Sequence, residues 1–342
     1  MGSEMCIRDR APLKSGLLWV GTDDGNVQVT QDDGLSWELL NDNIPNNPEY
    51  WVSRVEASHH DLGTAYLSYT GYRRDDFRPF VYKTTDFGES WTDISSNLPP
   101  GPINVIREHH TNPNLLFVGT EFQVWVSIDG GGNWTSMKLD MPTSPVHDMK
   151  IHPRENDLVV ATHGRGIYIA DISSLVEVTP EVLAKDAHFF EPEPKVRWVS
   201  PDMTNYSSSN FNGESEPEGA AMYYYLSGEA SDSVTFTVYQ NSLPVAEIKG
   251  PAEAGIHRVL WNMEKRIERS AAEQDRLREG GGGGRGGRGG GRGGRGGPPR
   301  DNIRYAYSSA PEGQYTVTMS VDGQEQERNI TILKDEWWMN RR

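Results

Sequence analysis

The chain has 342 residues, a net charge of −16 and 10% aromatic residues, among them ten tryptophans. This negative charge argues against general binding to nucleic acid or to an anionic membrane. The single cysteine, Cys6, excludes an intrachain disulfide and a thiolate metal cluster, and we predict neither a metal site nor a cofactor. No apolar run is long enough for a membrane-spanning helix, so no membrane span is predicted.

Residues 1–10 differ in character from the rest of the chain. They read MGSEMCIRDR and have neither the apolar core nor the cleavage site of a signal peptide. The letters MCIRDR resemble a translated adapter sequence, so we predict that residues 1–10 are a non-native or artefactual leader. Such a leader carries no information about the protein's compartment.

An eight-residue pattern then occurs three times: a hydroxyl residue, Asp two positions later, Gly after two more, and Trp at the end. The pattern predicts a hairpin turn in which Asp accepts backbone N–H groups, Gly takes a positive φ and Trp packs beneath. The copies lie roughly 40 to 55 residues apart, which is typical of one four-stranded propeller blade. The positions are Thr30, Asp32, Gly34 and Trp37, then Thr84, Asp86, Gly88 and Trp91, then Ser127, Asp129, Gly131 and Trp134. This pattern is the Asp-box, and the segment resembles the BNR/Asp-box propeller families.

The predicted strands of each blade are labelled A to D from the centre outwards. Apolar segments at 18–22, 65–69, 116–120 and 158–162 predict the B strands, and 51–55, 103–106 and 146–151 predict three A strands. Residues 15–175 therefore hold about three and a half blades, because the first lacks its A strand and the last its D strand. We predict the tail of a longer propeller, whose missing N-terminal blades are a partner of this segment; a homodimer that closes the ring is the alternative.

In such a meander the boxes lie at one end of each sheet and the B–C loops at the other, where propellers usually build sites. The box residues are therefore predicted to be structural. The candidate ligand-binding residues lie in or beside the B–C loops and differ between repeats: Asp23, Thr70, Arg73, Arg74, Glu121, His163 and Arg165. The alternative is that these residues only cap turns or, like Arg165, pair with a neighbouring carboxylate.

The C-terminal part has a different organisation. Residues 176–220 predict a short helix, with Thr179 as N-cap and Pro180 at its first position, and then a linker. Residues 221–336 predict six alternating strands in an immunoglobulin-like β-sandwich, which resembles the module of the flagellar hook-cap protein. An insertion at 264–303 holds a charged helix-like stretch and a Gly/Arg tract, predicted as a disordered loop, with RNA binding as the alternative.

The fold class is thus all-β, a partial Asp-box propeller followed by a sandwich. The propeller resembles sortilin-type receptors and secreted bacterial relatives labelled glycosyl hydrolases. That resemblance implies a secreted, periplasmic or cell-surface module that binds a protein, peptide or carbohydrate ligand. One alternative is a glycoside hydrolase of the two-propeller type, with Asp23, Asp24 and Glu121 as weak catalytic candidates. A structural surface or assembly module is the other alternative.

Overall fold

The computed structural model describes residues 7–137, 139, 141–198, 219–280 and 304–336. The chain divides into two compact units, Met1–Pro180 and Glu181–Arg342. Each unit is rich in antiparallel strands and has hydrophobic clusters of its own. None of the helices in the described ranges is long and apolar enough to cross a membrane.

Four antiparallel sheets make up the N-terminal unit, one for each repeat, and each is a meander of consecutive strands. Sheet 1 contains β1 (Ile7–Arg10), β2 (Leu18–Gly21), β3 (Val27–Thr30) and β4 (Glu38–Leu39), and sheet 2 contains β5 (Trp51–Ala57), β6 (Ala65–Thr70), β7 (Phe80–Thr84) and β8 (Thr92–Asp93). Sheet 3 contains β9 (Ile103–Glu108), β10 (Leu116–Thr120), β11 (Val124–Ser127) and β12 (Thr135–Ser136), and sheet 4 contains β13 (Val146–Ile151), β14 (Asp157–Thr162) and β15 (Ile167–Asp171). The all-β, propeller-like fold is confirmed.

Alternation along the second and third strands of each sheet places one set of residues on the face turned towards the next sheet, which we call the forward face. Its members are Trp19, Gly21, Val27 and Val29 in sheet 1, Tyr66, Ser68 and Val81 in sheet 2, Phe117, Gly119, Val124 and Val126 in sheet 3, and Val159, Ala161, Ile167 and Ile169 in sheet 4. The forward faces of sheets 1 to 3 are buried, whereas Ile167 and Ile169 of sheet 4 are 70% and 68% exposed. The forward face of sheet 4 is therefore exposed, whereas the forward faces of the other three sheets are buried.

A small residue recurs at the centre of the forward face because the inner strand of the next sheet approaches there. A Cβ on Gly21 would collide with the Val52 side chain of sheet 2. A Cβ on Gly119 would lie 2.7 Å from Cγ1 of Val146 in sheet 4. Glycine at these two positions sets the close spacing of neighbouring sheets.

The first sheet has an inner strand, so the prediction that it lacks one is wrong. Strand β1 pairs with β2 from Ile7–Gly21 to Arg10–Leu18, and the carboxylate of Asp9 accepts the amide of Ala57 in sheet 2 at 2.7 Å. The strand escaped detection because it has charges instead of alternating apolar residues: Arg8 stands where the other inner strands have Val55, Ile106 and Met149. Residues 1–6 lie outside the described ranges, and the artefactual origin of residues 1–10 stays a prediction.

The fourth repeat ends differently from the others. The amide of Ile172 donates to the carbonyl of Asn156 at 2.9 Å, as that of Gly130 does to Asn114 in sheet 3. The chain then forms α1 (Ser173–Val176) where the other repeats have a box. Within the described residues sheet 4 has three strands, in agreement with the prediction.

The C-terminal unit contains two main sheets around one core. Three strands, β16 (Ala187–Phe189), β18 (Ala220–Leu226) and β21 (Gly255–Trp261), form the first sheet. Five strands, β17 (Lys195–Arg197), β25 (Gln324–Lys334), β24 (Gly313–Val321), β19 (Val234–Gln240) and β20 (Leu243–Gly250), form the second. Both sheets contribute to a cluster that includes Phe189, Tyr224, Phe236, Trp261 and Tyr315, so this unit is a β-sandwich. Its immunoglobulin-like type stays a prediction.

Two segments differ from the predictions for this part of the chain. The chain forms α2 (Pro180–Leu183) where the short helix is predicted. Strands β16 and β17 lie in the predicted linker: the ring of Phe189 in β16 packs 5.3 Å from that of Phe236 in the core, and β17 pairs in parallel with β25. The predicted helix-like stretch begins instead as β22 (Glu264–Glu268), paired with β23 (Tyr305–Ser309), and only α3 (Ala271–Gly280) is helical. Residues 199–218 and 281–303, with most of the predicted linker and the Gly/Arg tract, lie outside the described ranges.

Candidate functional site

The three boxes form the same turn, at the end of sheets 1 to 3 that we call the box end. In the first, Asp32 accepts the Thr30 hydroxyl at 2.7 Å, the Ser36 amide at 2.9 Å and the Ser36 hydroxyl at 2.6 Å, while the Gly34 amide donates to the Thr30 hydroxyl at 3.0 Å. Equivalent bonds recur around Asp86 and Asp129. The three box glycines have φ between 90° and 97°, as the pattern predicts.

These bonds hold the box carboxylates in their charged form. Hydrogen bonds from the Ser36 hydroxyl and amide, and then from Thr30, lower the pKa of Asp32 from 3.8 to about 2. Ser90 and Thr84 likewise lower the pKa of Asp86. A general acid needs a pKa near the working pH, so the box acids are suited to bracing turns and not to proton transfer.

The tryptophans of the second and third boxes connect their sheets to the sheet before. Trp91 packs edge-on against Trp19 of sheet 1, with ring centroids 6.1 Å apart, and the Trp134 indole N–H donates to the Ile94 carbonyl of sheet 2 at 2.7 Å. Trp91 and Trp134 are buried, whereas Trp37 of sheet 1 is 42% exposed. The second and third boxes therefore stabilise both a hairpin and a contact between sheets.

The opposite end, which we call the loop end, consists of the B–C loops at residues 22–26, 70–79, 120–123 and 162–166. In the first loop Asp24 accepts the Thr22 hydroxyl and the Asn26 side-chain amide, and the Thr22 hydroxyl bond is the main cause of its lowered pKa. Asp24 thus braces its own turn, as the alternative reading expects. Asp23 beside it is exposed and has no side-chain partner among the described residues.

The second loop is the longest and is built on aromatic side chains. Thr70 pairs with Trp51, the first residue of β5, and the guanidinium of Arg73 lies 4.5 Å from the centre of the Trp51 ring. The guanidinium of Arg74 lies 5.7 Å from the Tyr50 ring. Thr70, Arg73 and Arg74 are therefore neighbours above the start of the inner strand.

Asp76 stabilises this loop through hydrogen bonds to two other side chains. It accepts the Tyr50 hydroxyl at 3.0 Å and a forked pair of bonds from Arg78, whose side chain holds the Asp76 pKa well below its usual range. The Tyr50 ring that supports Arg74 is thus itself anchored. Sequence analysis missed both Tyr50 and Asp76.

The third and fourth loops carry the remaining candidates. Glu121 accepts the Asn104 side-chain amide at 3.3 Å, and Phe122 beside it is 54% exposed. The His163 ring lies 4.9 Å from that of His147 at the start of β13. Arg165 is exposed, and no carboxylate within the described ranges pairs with its guanidinium, so the ion pair given as the alternative is not seen.

The loop-end candidates share one end of the unit, but no hydrogen bond or ion pair in the described part of the chain joins the B–C loops of different sheets. What sequence analysis missed is the contribution of the inner strands. Tyr50, Trp51, Asn104 and His147 lie at or beside the starts of these strands, under the loop candidates. The sequence signal that could have found these residues is the antiparallel register, because it pairs the start of each inner strand with the end of the second strand, where the loop begins.

A charged network crosses the inner strands. Asp148 of β13 accepts Arg54 of β5 at 2.6 Å and Arg107 of β9 at 2.7 Å, and Arg107 also binds Glu56. The Arg107 and Glu56 side chains are nearly inaccessible, and burial raises the pKa of Glu56. These pairs join three sheets, and removing one partner would leave a buried charge uncompensated. Within the described ranges no three His, Cys, Asp or Glu side chains are grouped to hold a metal ion.

Comparison with known proteins agrees with this architecture. Residues 80–187 match the family model described as Sortilin-Vps10: Sortilin, neurotensin receptor 3. No curated protein sequence matches the chain significantly.

Similar solved structures include YCF48 from Cyanidioschyzon merolae, 15% identical with a TM-score of 0.34, where the match covers 75% of this chain and 71% of that one. They also include the GH74 enzyme of Niastella koreensis, which is 16% identical with a TM-score of 0.41, where the match covers 64% of this chain and 35% of that one. The GH74 xyloglucanase from Xanthomonas campestris is 14% identical with a TM-score of 0.37, and the match covers 91% of this chain and 47% of that one. The chain thus spans less than half of these GH74 chains, and likenesses at this level carry no argument about ligands. The three boxes and the four meander sheets are those of a propeller-like segment with Asp-boxes, and residues 80–187 within the chain match the Sortilin-Vps10 model.

Proposed function

We propose that the N-terminal unit is a ligand-binding propeller module that takes a protein, peptide or glycan ligand at its loop end. The observation that carries this proposal is the contrast between the two ends of the same repeated sheets. The box end repeats the same hydrogen bonds three times, whereas the loop end differs in every sheet and exposes Tyr72, Phe77 and Phe122. Variable loops with exposed aromatic side chains on a constant scaffold are typical of binding surfaces.

Hydrolysis is less well supported. Glycoside hydrolysis needs two carboxylates on either side of a sugar. Of the three candidates, Asp24 is bonded within its own turn and Glu121 accepts the Asn104 amide, and neither contacts the other. We retain Asp23 and Glu121 as the residues to test for this activity.

We further propose that the intact protein is secreted, periplasmic or on the cell surface, and that other blades of a longer polypeptide pack on this segment. The exposed forward face of sheet 4 supports this second point.

The test is capture of the purified chain on peptide and glycan arrays, with Glu121→Gln/Arg165→Ala as the loop-end variant. We expect captured spots to weaken several-fold in this variant. Arg154→Ala is the matched control, because Arg154 is an exposed arginine in the A–B turn of sheet 4, at the opposite end. Silence on both arrays, or equal loss in the control, would contradict the proposal and favour a structural module. The Asp23→Asn and Glu121→Gln variants, assayed on a polysaccharide panel, address turnover separately.

A further inference from the structure

Two arginines at the loop end have aromatic supports but no acidic partner. Arg73 and Arg74 lie on the 3-10 turn Tyr72–Arg74, are exposed, and rest over Trp51 and Tyr50. No carboxylate within the described ranges forms an ion pair with either guanidinium. Both guanidiniums thus lack a carboxylate partner in a chain whose net charge is −16.

Their supports also reduce their freedom. A guanidinium over an aromatic ring is attracted to the face of the ring and keeps the N–H donors at its edge available. Trp51 is held in β5 and Tyr50 is held by Asp76 at 3.0 Å. The two arginines are thus preorganised, which lowers the entropy cost of binding.

The other acids of this loop do not neutralise the pair. Asp76 already accepts hydrogen bonds from Nε and Nη2 of Arg78. Asp75 ends the turn in the left-handed conformation, with φ of 55°, and is exposed without an ion pair to Arg73 or Arg74. A carboxylate that arrives on a ligand is therefore the natural partner of each guanidinium.

Apolar surface lies beside the arginines. Phe77 is 49% exposed, and its carbonyl accepts the Gly101 amide at 2.6 Å. Phe122 Cε2 of sheet 3 lies 3.9 Å from where a Cβ on Gly101 would stand. Gly101 therefore lies between the Phe77 backbone of sheet 2 and the Phe122 ring of sheet 3, and both phenylalanine side chains are exposed.

We propose that the loop end binds an acidic peptide segment, whose carboxylate side chains pair with Arg73 and Arg74 and whose apolar side chains cover Phe77 and Phe122. This proposal rests on the proposed function and names its ligand class. A sugar is a poorer occupant because its hydroxyls need hydrogen-bond partners. Nearby, the Asn104 side-chain amide already donates to Glu121, the Gln123 side-chain carbonyl already accepts the Ser136 hydroxyl, and the phenylalanines have no polar side-chain atoms.

The test uses fluorescence anisotropy with a labelled peptide of alternating Glu and Phe, and with a matched peptide of Gln and Phe. We expect the Glu peptide to bind, the Gln peptide to bind at least about tenfold more weakly, and the Glu peptide to weaken between 50 and 200 mM salt. The Arg73→Ala/Arg74→Ala variant should lose about tenfold or more in affinity, and Arg154→Ala should match the unaltered chain. Arg73→Lys/Arg74→Lys keeps the charge but loses the planar fork, so an intermediate loss is expected.

Equal binding of the two peptides, or no effect of the double alanine variant, would overturn the proposal. Since the peptide pair leaves the chain unchanged, a folding defect in a variant does not affect that comparison. Binding of polygalacturonate in place of the Glu peptide, abolished by the same variant, would replace the peptide with an anionic glycan. Array capture that needs Glu121 and Arg165 but not Arg73 and Arg74 would refute this inference while leaving the proposed function intact.

Discussion

The box end and the loop end of the N-terminal unit belong to the same strands, yet the hydrogen bonds are repeated at the box end and the contacts vary from sheet to sheet at the loop end. At the box end, Asp32, Asp86 and Asp129 accept the same set of bonds from residues two and four positions away. At the loop end, the connections differ in side chains and, apart from the first and fourth, in length, and the side chains of the second to fourth loops contact residues at or beside the inner strands. The difference teaches that acidic residues repeated in such a sheet indicate bracing, whereas residues that break the repeat are the ones to examine for binding.

The largest expected effect tests whether the box end is structural. Trp134→Ala should lower the free energy of unfolding by about 3–5 kcal/mol, because a buried ring and its hydrogen bond to Ile94 are lost. Trp37→Ala, the same change at a half-exposed ring, should cost about 1 kcal/mol or less. Chemical denaturation followed by circular dichroism measures both. Similar losses for the two variants would show that contact between sheets is not the source of the stability.

The second prediction is that the box turns lose stability at low pH. Asp32 has a pKa of about 2 in the folded chain against an ordinary value of 3.8, so its contribution to stability is complete above about pH 4 and is lost as the pH falls through 2. The pKa of Asp86 is lowered in the same direction. Hydrogen-exchange protection at the Ser36 and Ser90 amides, which donate to these carboxylates, should fall over this range.

In Asp32→Asn the dependence on acid should disappear at Ser36 and persist at Ser90. Protection that is the same at pH 2 and pH 5 in the unaltered chain would contradict this account of the box.

The smallest expected effect lies at the loop end. Thr70→Ala and Arg165→Ala should each change the free energy of unfolding by less than about 0.5 kcal/mol, since neither side chain makes a hydrogen bond or ion pair within the described ranges. Thermal and chemical denaturation measure this. A loss above 1 kcal/mol in either variant would place that residue in the scaffold and weaken the contrast between the ends.

The box could be predicted from sequence because its bonding partners lie within five residues of one another. The loop end could be predicted only in part, since Arg73 and Glu121 are visible in the sequence but their partners Trp51 and Asn104 depend on strand register. The forward-face glycines were likewise recognisable only after the sheets were in place, because Gly21 matters through its contact with Val52.

Strands without an apolar alternation were the other failure. Ile7–Arg10 and Glu264–Glu268 are charged and pair through their backbones with Leu18–Gly21 and Tyr305–Ser309. Polar strands of this kind are stabilised by their neighbours, which a local pattern does not show.

The exposed forward face of sheet 4 bears on how the purified chain associates with itself in solution. Ile167 and Ile169 lie on an outer strand that pairs, within the described ranges, only with β14, so apolar side chains and strand-edge backbone are exposed together. Such a surface favours edge-to-edge encounters between molecules, which become more frequent as concentration rises. Aggregation of the chain at high concentration should therefore depend on β15. The Ile167→Lys/Ile169→Thr substitution is expected to reduce this aggregation.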